Sequence, residues 1–580
     1  MSYKAPVKDL LFNIEHLARI DQIAAIPGFE DAGLETAQAV LEECARFNEG
    51  VVAPLNFEAD KAPSSHSGTA VTTSAGFKEA YRQYIEGGWQ GLQHPAAFGG
   101  QGLPKTIGAA CGEVLNSANL SFALCPLLTD GAIEALLTAG SEELKATYLE
   151  QLVSGHWTGT MNLTEPQAGS DLAAVTTRAE PDGQGGYKLY GQKIFITWGD
   201  HDATDNICHL VLARLPDAPP GVKGISLFLA TKRLVDDNGA LGAPNDLRPG
   251  SIEHKLGIHG SPTCVMLFEG AQAELVGEVN NGIAHMFVMM NAARLQVGVQ
   301  GVAIAERAYQ QALAFSQERT QGRGAWGPGI FGHPDVRRML TLMKAKIEAA
   351  RAICITTGVL ADLGRLSEDP AQRAIAKARQ ELLTPIAKAR STDIGVEVAS
   401  LGVQVHGGMG FIEETGAAQH YRDARIAPIY EGTNGIQAID LAGRKLSMQD
   451  GGVMDALCAE MSESVADLKA QPGLEAVGER LAAGVAALER ATDWMLSHKG
   501  PEALSGATAY LKLAGDVIGG WMLGRQALAV AGETDDWSQS RAALARVFAS
   551  QVLTGAEGLA QSVMEGGKDL EALSAETLAS

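Results

Sequence analysis

Residues 285–320, HMFVMMNAARLQVGVQGVAIAERAYQQALAFSQERT, make a run of 36 helix-compatible residues without a proline. At 1.5 Å per residue, such a helix spans roughly 50 Å. A helix this long needs equally long neighbours to cover its apolar face, so the run predicts a helical bundle. Two more long helical runs follow. RRMLTLMKAKIEAARAICITTGVLADLG begins at 337, and AQRAIAKARQELLTPIAKARSTDIGVEVASLGVQVHG begins at 371. The second is expected to be interrupted at Pro385, which lacks the N–H that an unbroken helix requires.

The texture upstream is different. Residues 1–160 read as helical: in GLETAQAVLEECARFNEGVVAPL the apolar Ala37, Val40, Leu41, Cys44 and Phe47 recur at spacings of three and four. GSEELKATYLEQLVSG repeats the pattern, with Gly155 closing it at a C-cap position. Over 161–280 the pattern turns to strands. DGQGG at 182–186 is turn chemistry, and YKLYGQKIFIT, NICHLVLARL, KGISLFLA and CVMLFEG are rich in β-branched and aliphatic residues. No helical pattern alternates with these runs, so an antiparallel sheet or barrel is expected rather than a parallel βαβ sheet. QDGGVMD, from 449, reads as a linker to a separate helical block at 449–580, where Leu474, Val477, Leu481, Val485 and Leu488 form one stripe.

Composition narrows the functional classes. A chain of 580 residues exceeds what one core supports. Its net charge of −22 and pI near 5.1 disfavour nucleic acid or anionic lipid over most of the surface. An anionic ligand needs a local basic patch. Seven cysteines lie without a C-x-x-C pair, which suits neither a zinc site nor a disulfide framework and reads as free thiols in a reducing compartment. The amino terminus has no basic region ahead of an apolar core, and no stretch approaches 18 uninterrupted apolar residues. These features predict a cytoplasmic protein without stable membrane insertion.

Five stretches can carry chemistry. In RIAPIYEGTNGIQAIDLAGRKL (425–446) a carboxylate, Glu431, stands between an apolar run and a loop. It is either solvated helix punctuation, with Thr433 or Asn434 as N-cap, or a group kept for proton transfer. MNLTEPQAGSD (161–171) can form a nest for the polar edge of a ring or a phosphate, or simply cap a helix at Ser170 or Asp171. GQKIFITWGD (191–200) offers Phe195, Ile196, Thr197 and Trp198 at a strand end, where they can pack on a flat ring or on a core. SQERTQGRG (316–324) supplies Arg319 and Arg323, suited to phosphate or to the end of the helix dipole. QVHGGMGF (404–411) combines close-approach glycines with His406, and no metal ligand set accompanies it. Two G-x-G-x-x-G matches at 322–332 lack the strand and helix of a dinucleotide fingerprint and read as a connection.

The joint order T-E-P-x-A-G-S-D, K-x-F-I-T, R-x-Q-G, Q-V-H-G-G-x-G-F and R-D-A-R-I-x-x-I-Y-E-G-T-x-x-I-Q resembles the acyl-CoA dehydrogenase family over about residues 35–448. The amino terminus and the acidic appendix further resemble that family's bacterial 3-methylmercaptopropionyl-CoA dehydrogenase-like branch. The resemblance implies an α+β fold: an N-terminal helical domain (1–160), a middle antiparallel β domain (161–280), a C-terminal four-helix bundle (281–448) and an additional helical domain (449–580). It implies FAD as cofactor and an acyl-CoA substrate, converted to a trans-2-enoyl-CoA. It also implies electron-transferring flavoprotein as acceptor, and the appendix points to a homodimer.

By the same resemblance Met161, Leu163, Thr164, Ser170, Phe195, Ile196 and Thr197 surround the flavin ring, with Ser170 also reaching substrate. Arg319 reaches the FAD pyrophosphate, and Gln404, Gly407 and Gly408 its adenine-ribose end, both from a neighbouring subunit. Thr433 and Gly435 lie beside the diphosphate. Asn291, Arg294 and Gly432 contact substrate, and Glu431 is the base. Some branches place the base where this chain has Ala293, which cannot accept a proton. Asn162 and Gln419 depart from the family signature. An acyl-CoA oxidase shares the half-reaction and stays open. A DNA-associated relative calls for a basic C-terminal surface, whereas residues 451–580 carry 18 acidic and 9 basic side chains.

Overall fold

The computed structural model describes residues 3–236 and 238–580. Helices α1 (Val7–Phe12), α2 (Leu34–Phe47), α3 (Phe77–Glu86), α4 (Lys105–Ala118), α5 (Leu120–Ala139) and α6 (Glu142–Val153) form the first layer. Helix α2 buries Ala37, Leu41 and Cys44, as its three- and four-residue spacing dictates. Helix α6 starts where Ser141 Oγ accepts the Leu144 N–H and stops just before Gly155, whose φ is 78°. Helix α5 is long and apolar enough to cross a membrane by length and composition, but it is mostly buried at the centre of this layer.

Strands β1 (Trp157–Asn162), β2 (Arg178–Pro181), β3 (Tyr187–Thr197), β4 (Asn206–Arg214), β5 (Ile225–Thr231), β6 (Leu247–Ile252) and β7 (Thr263–Val276) build one sheet. Strand β7 pairs antiparallel with β3, β5 and β6, and β5 also pairs with β4. Because β2 joins β3 to β4, the sheet closes on itself as a small barrel. The expectation of an antiparallel domain needs correction at β4: β1 runs parallel to it, Trp157 opposite Asn206 through Asn162 opposite Val211, and β2 also meets it in parallel, Arg178 opposite Arg214. Parallel neighbours usually need a crossover helix. Here the β2–β3 hairpin and its loops supply the crossover, so no helical pattern marks it.

The bundle follows as α7 (Gly282–Glu318), α8 (Pro334–Leu366) and α9 (Pro370–His406). Helix α9 is unbroken at Pro385, against the expected interruption. A mid-helix proline costs about 3 kcal/mol. Leu382, Leu383 and Ile386 around it are fully buried, and each such burial is worth roughly 1.5–3 kcal/mol, so packing outweighs the lost bond. A short helix, α10 (Asn434–Asp440), then leads to α11 (Gly452–Ala470), α12 (Glu475–Ser497), α13 (Ala507–Ala529), α14 (Asp536–Gln551) and α15 (Ala556–Glu565).

Residues 281–448 supply three long helices, and the fourth long helix against α8 and α9 is α13 of the appendix. The appendix is thus an additional helical domain whose core runs on into the bundle. Its buried stripe Leu474, Val477, Leu481, Val485 and Leu488 belongs to one core continuous with α7, α8 and α9. The amino-terminal segment also seats on it: Phe12 meets Trp537 edge-on at 4.9 Å, Asp9 accepts the Trp537 indole N–H at 3.0 Å, and Gln526 donates to Asn13 at 2.9 Å. All seven cysteines are free and buried.

Candidate active site

Glu431 sits in the turn between the short helix Ala417–Ala424 and α10. Its φ is 56° and that of Gly432 is 83°, two successive left-handed residues. For a glutamate this conformation costs on the order of 1–3 kcal/mol and persists only where surroundings impose it. They do so by hydrogen bonds. The Asn434 N–H donates to Pro428 O at 2.9 Å, Gln437 Nε2 to the carbonyls of Glu431 and Gly432 at 3.3 and 3.4 Å, and Lys388 Nζ to Gly432 O at 2.9 Å. Thr433 Oγ1 accepts the Ile436 N–H and caps α10.

Helix punctuation is thus real at Thr433, but Glu431 is not solvated with it. The residue is partly accessible along its length, while Oε2 is enclosed and has no hydrogen-bond partner. Burial pushes the carboxyl up to about 7, against the downward pull of Arg294 and Lys388. Arg294, buried on α7, reaches Asn291 Oδ1 at 3.4 Å and Asp440 at 3.6 Å and leaves its own Nε unpartnered.

The sheet supplies the opposite wall. Glu165 is buried beneath the loop 161–170 and accepts from Lys193 Nζ at 2.8 Å, both hydroxyls and both N–H groups of Thr176 and Thr177, and Gln167. The Thr164 carbonyl accepts the Ile194 N–H at 2.9 Å, which fixes the loop beside the end of β3. There Ile196 opposes Cys264 and Lys193 opposes Met266, so Ile194 and Phe195 share one partner position. This bulge gives Phe195 a φ of 59° and turns its ring outward, 59% exposed. Thr164 and Thr197 are partly exposed and Ser170 is exposed. Met161 packs against the same apolar cluster as Met290 and Ala293, the neighbours of Asn291 and Arg294 on α7.

Two of the expected ring residues can offer only backbone. The side chains of Leu163 and Ile196 turn into apolar cores, Ile196 at 2% exposure beside Cys264, so only their backbones can meet a ring. Trp198 is likewise buried, stacked on Phe77 and donating its indole N–H to Ser121 O at 3.0 Å. Of the two departures from the family signature, Asn162 is buried with Nδ2 on Thr160 Oγ1 at 2.8 Å, and Gln419 is buried between Asn56 and Asp423.

Arg319, Gln404, Gly407 and Gly408 gather elsewhere. Phe315 stacks on His406 at 4.4 Å, which joins the far ends of α7 and α9. Arg319 lies 25 residues beyond Arg294, roughly 37 Å along the helix. One chain therefore does not bring this group to Glu431. Beside Thr433, Asn434 and Gly435 opens a cleft of about 760 Å³, also lined by Asp393, Tyr421 and Arg425. The Arg425 guanidinium is exposed and forms no hydrogen bond or ion pair with a described side chain. An outward aromatic face, two threonine hydroxyls, open backbone at Gly435 and a free guanidinium fit a flat ring system carrying a diphosphate.

Sequence reasoning missed Arg425, Gln437 and Lys388 as parts of this site. Lys388 is one of many cations on a helix, and only the return of residues 431–434 onto α9 sets it apart. It also missed a polar line leading away from Glu431: the Tyr430 hydroxyl donates to Gln300 Oε1, and Gln300 Nε2 donates to Asn116 Oδ1 at 3.1 Å. Asn116 and Gln296 then line a cavity of about 50 Å³ with Cys111, Gly112, Leu115 and Leu127.

The chain matches the N-terminal domain of acyl-CoA dehydrogenase over residues 35–156, the middle domain over 160–271 and the C-terminal domain over 280–446. Residues 457–574 match a domain described as acetyl-CoA dehydrogenase C-terminal like. It is 47% identical to the 3-methylmercaptopropionyl-CoA dehydrogenase of Ruegeria pomeroyi, across 98% of this chain and 99% of that protein. It is 34% identical to a butyryl-CoA dehydrogenase of Syntrophomonas wolfei, across 93% and 92%. Among solved structures, Caenorhabditis elegans ACDH-11 in complex with C11-CoA superposes with a TM-score of 0.79 over 95% of this chain and 92% of that one, at 21% identity, a likeness of fold.

Proposed function

Because the chain belongs to the acyl-CoA dehydrogenase family and is an oxidoreductase of acyl-CoA thioesters, we propose that it desaturates the α,β bond of a short acyl-CoA, 3-(methylthio)propanoyl-CoA foremost, using FAD and Glu431. The observation that carries this reading is the enclosed, unpartnered Oε2 of Glu431. A carboxylate in water is too weak a base for a thioester α-proton. One held dry, with its conjugate acid favoured by burial up to about 7, is matched to the task near neutral pH. The α C–H bond breaks with its proton passing to Glu431 and its electron pair forming the new double bond. When bound, FAD supplies the two-electron oxidant that accepts the β-hydride.

Phe195, Thr164 and Thr197 would hold the ring, with backbone from Met161, Leu163 and Ile196. Thr433, Gly435 and Arg425 would hold the diphosphate. Arg294 and Asn291 would position the thioester arm. Arg319, Gln404, Gly407 and Gly408 lie too far off to serve the same cofactor within one chain, which supports a homodimer. Electron-transferring flavoprotein is the proposed acceptor.

The substrate class rests on the cavity at the end of the Tyr430–Gln300–Asn116 line. At about 50 Å³, and with Asn48, Gln90, Gln93, Asn116, Asp130 and Gln296 in its lining, it suits a short acyl end with a heteroatom better than a long alkyl tail. Anaerobic stopped-flow bleaching of bound FAD tests both parts. We expect kcat/KM to be highest for 3-(methylthio)propanoyl-CoA and butanoyl-CoA and to fall at least tenfold for dodecanoyl-CoA, about what unfavourable burial of a few methylenes implies. Fastest bleaching by the twelve-carbon thioester would overturn the substrate class, and no bleaching by any acyl-CoA would overturn the reaction.

A further inference from the structure

Lys388 lies mid-way along α9, one turn after Pro385, and is 0% exposed. Its ammonium donates to Gly432 O and to Asn434 Oδ1, each at 2.9 Å, and no carboxylate of a described residue lies within ion-pair distance. Asn434 in turn donates to Ala389 O at 3.1 Å, Thr392 Oγ1 at 3.0 Å and Asp393 Oδ1 at 2.7 Å. Helix α9 thus grips the turn at Gly432 and again at Asn434.

A buried ammonium satisfied only by a carbonyl and an amide oxygen is a costly way to hold a turn. A neutral donor, such as the amide of Gln437 nearby, makes the same kind of bond without the charge. What a neutral donor cannot provide is a positive charge behind the base. We infer that Lys388 is a positioning residue for the desaturation, holding the left-handed Glu431–Gly432 turn through the Gly432 carbonyl and setting a positive charge against the Glu431 carboxylate without touching it. This deepens the proposed role of Glu431 and rests on it.

The charges around the pair are few. Glu431 is faced by Arg294 from α7 and Lys388 from α9, with the Tyr430 hydroxyl beside it. Lys388 is faced by Glu431, by Asp393 on its own helix and by Arg294, with Arg390 and Lys512 beyond Asp393. Asp440 and Arg444 lie behind Arg294. Burial brings Lys388 down to about 7, against the upward pull of Glu431 and Asp393, into the range where Glu431 titrates. The two groups therefore trade charge over the same pH window.

The test is the pH dependence of the limiting bleaching rate in the FAD-loaded wild type, Lys388→Gln and Lys388→Arg. Removing a nearby positive charge raises the pH at which Glu431 ionises, so the acidic limb should move up by about one unit in Lys388→Gln and the rate at pH 7 should fall about fivefold. FAD content should be retained, and Lys388→Arg should return the limb to the wild-type position. If the glutamine variant loses its flavin, the same profile is read on Lys388→Met. An acidic limb unmoved in the neutral variant, or moved equally in the arginine variant, overturns the role of Lys388 while the wild type still bleaches. A wild type that no acyl-CoA bleaches removes the proposed function and this inference with it.

Discussion

Glu165 is a buried carboxylate and Glu431 a partly accessible one with an enclosed Oε2, and their surroundings drive them in opposite directions. Glu165 pays for its burial with six donated hydrogen bonds, the Lys193 ammonium among them, and stays ionised with its carboxyl held down to about 2. Burial wins at its partner, pulling Lys193 down to about 8 despite the pairing. Glu431 has two cations in its neighbourhood but no donor on Oε2, and burial carries it up to about 7. The first fastens a loop; the second is left without a donor. Burial alone does not make a carboxylate a base. Burial without donors does.

The comparison breaks most sharply at Glu431. Glu431→Gln should retain FAD and lose about 10²- to 10⁴-fold or more in limiting bleaching rate, the usual weight of one proton-transfer group. Its stability should move the other way. A carboxyl whose folded-state value is raised from 4.5 to about 7 contributes most below pH 4.5 and loses that contribution as pH rises through 7. The amide cannot ionise, so the variant should melt above the wild type at pH 8 and lose the advantage toward pH 4.5, a crossover visible by calorimetry.

Glu165→Ala should show the reverse pattern. Leaving the Lys193 ammonium buried without its partner costs about 3–5 kcal/mol, read as a drop in denaturation midpoint with FAD loss as the loop 161–170 loosens. Because the Glu165 carboxyl is lowered, its contribution is present above pH 4.5 and fades as pH falls toward 2, so wild type and variant should converge in acid. A smaller effect is expected at the turn itself. Gly432→Ala places a Cβ at a φ of 83°, 2.7 Å from Gln437 Nε2, which should cost about 1–2 kcal/mol and displace the Gln437 amide from its carbonyls. A bleaching rate unchanged in that variant would show that the left-handed turn is not needed to present the base.

Much of the fold was legible because it depends on period and length. The 36-residue run at 285–320 became α7, the spacing in 34–47 became α2, and the stripe from Leu474 to Leu488 faces a core. Three features were not. Pro385 carries a rule about local hydrogen bonds, and the buried Leu382 and Leu383 before it and Ile386 after it override it. The parallel β1–β4 pair is hidden because a hairpin makes its crossover. QDGGVMD is a linker in composition, yet α13 behind it packs on α8 and α9, and linker chemistry says nothing of where the next helix docks.

The site divides along the same line. The sequence by itself determined which side chains are available: one acid at 431 in an apolar-to-loop transition, no acid at Ala293, and hydroxyl, glycine and aromatic groups in an order that fixes the family. Whether Glu431 meets water or a dry wall, which of Phe195, Ile196 and Trp198 faces outward, and that Lys388 lies behind the turn were decided by the tertiary structure. Identity and spacing are local, set by the order of residues along the chain. Desolvation and Coulomb interaction depend on distances between segments far apart in that order, here α7, α9 and the turn at 431, and those distances exist only once the helices have packed.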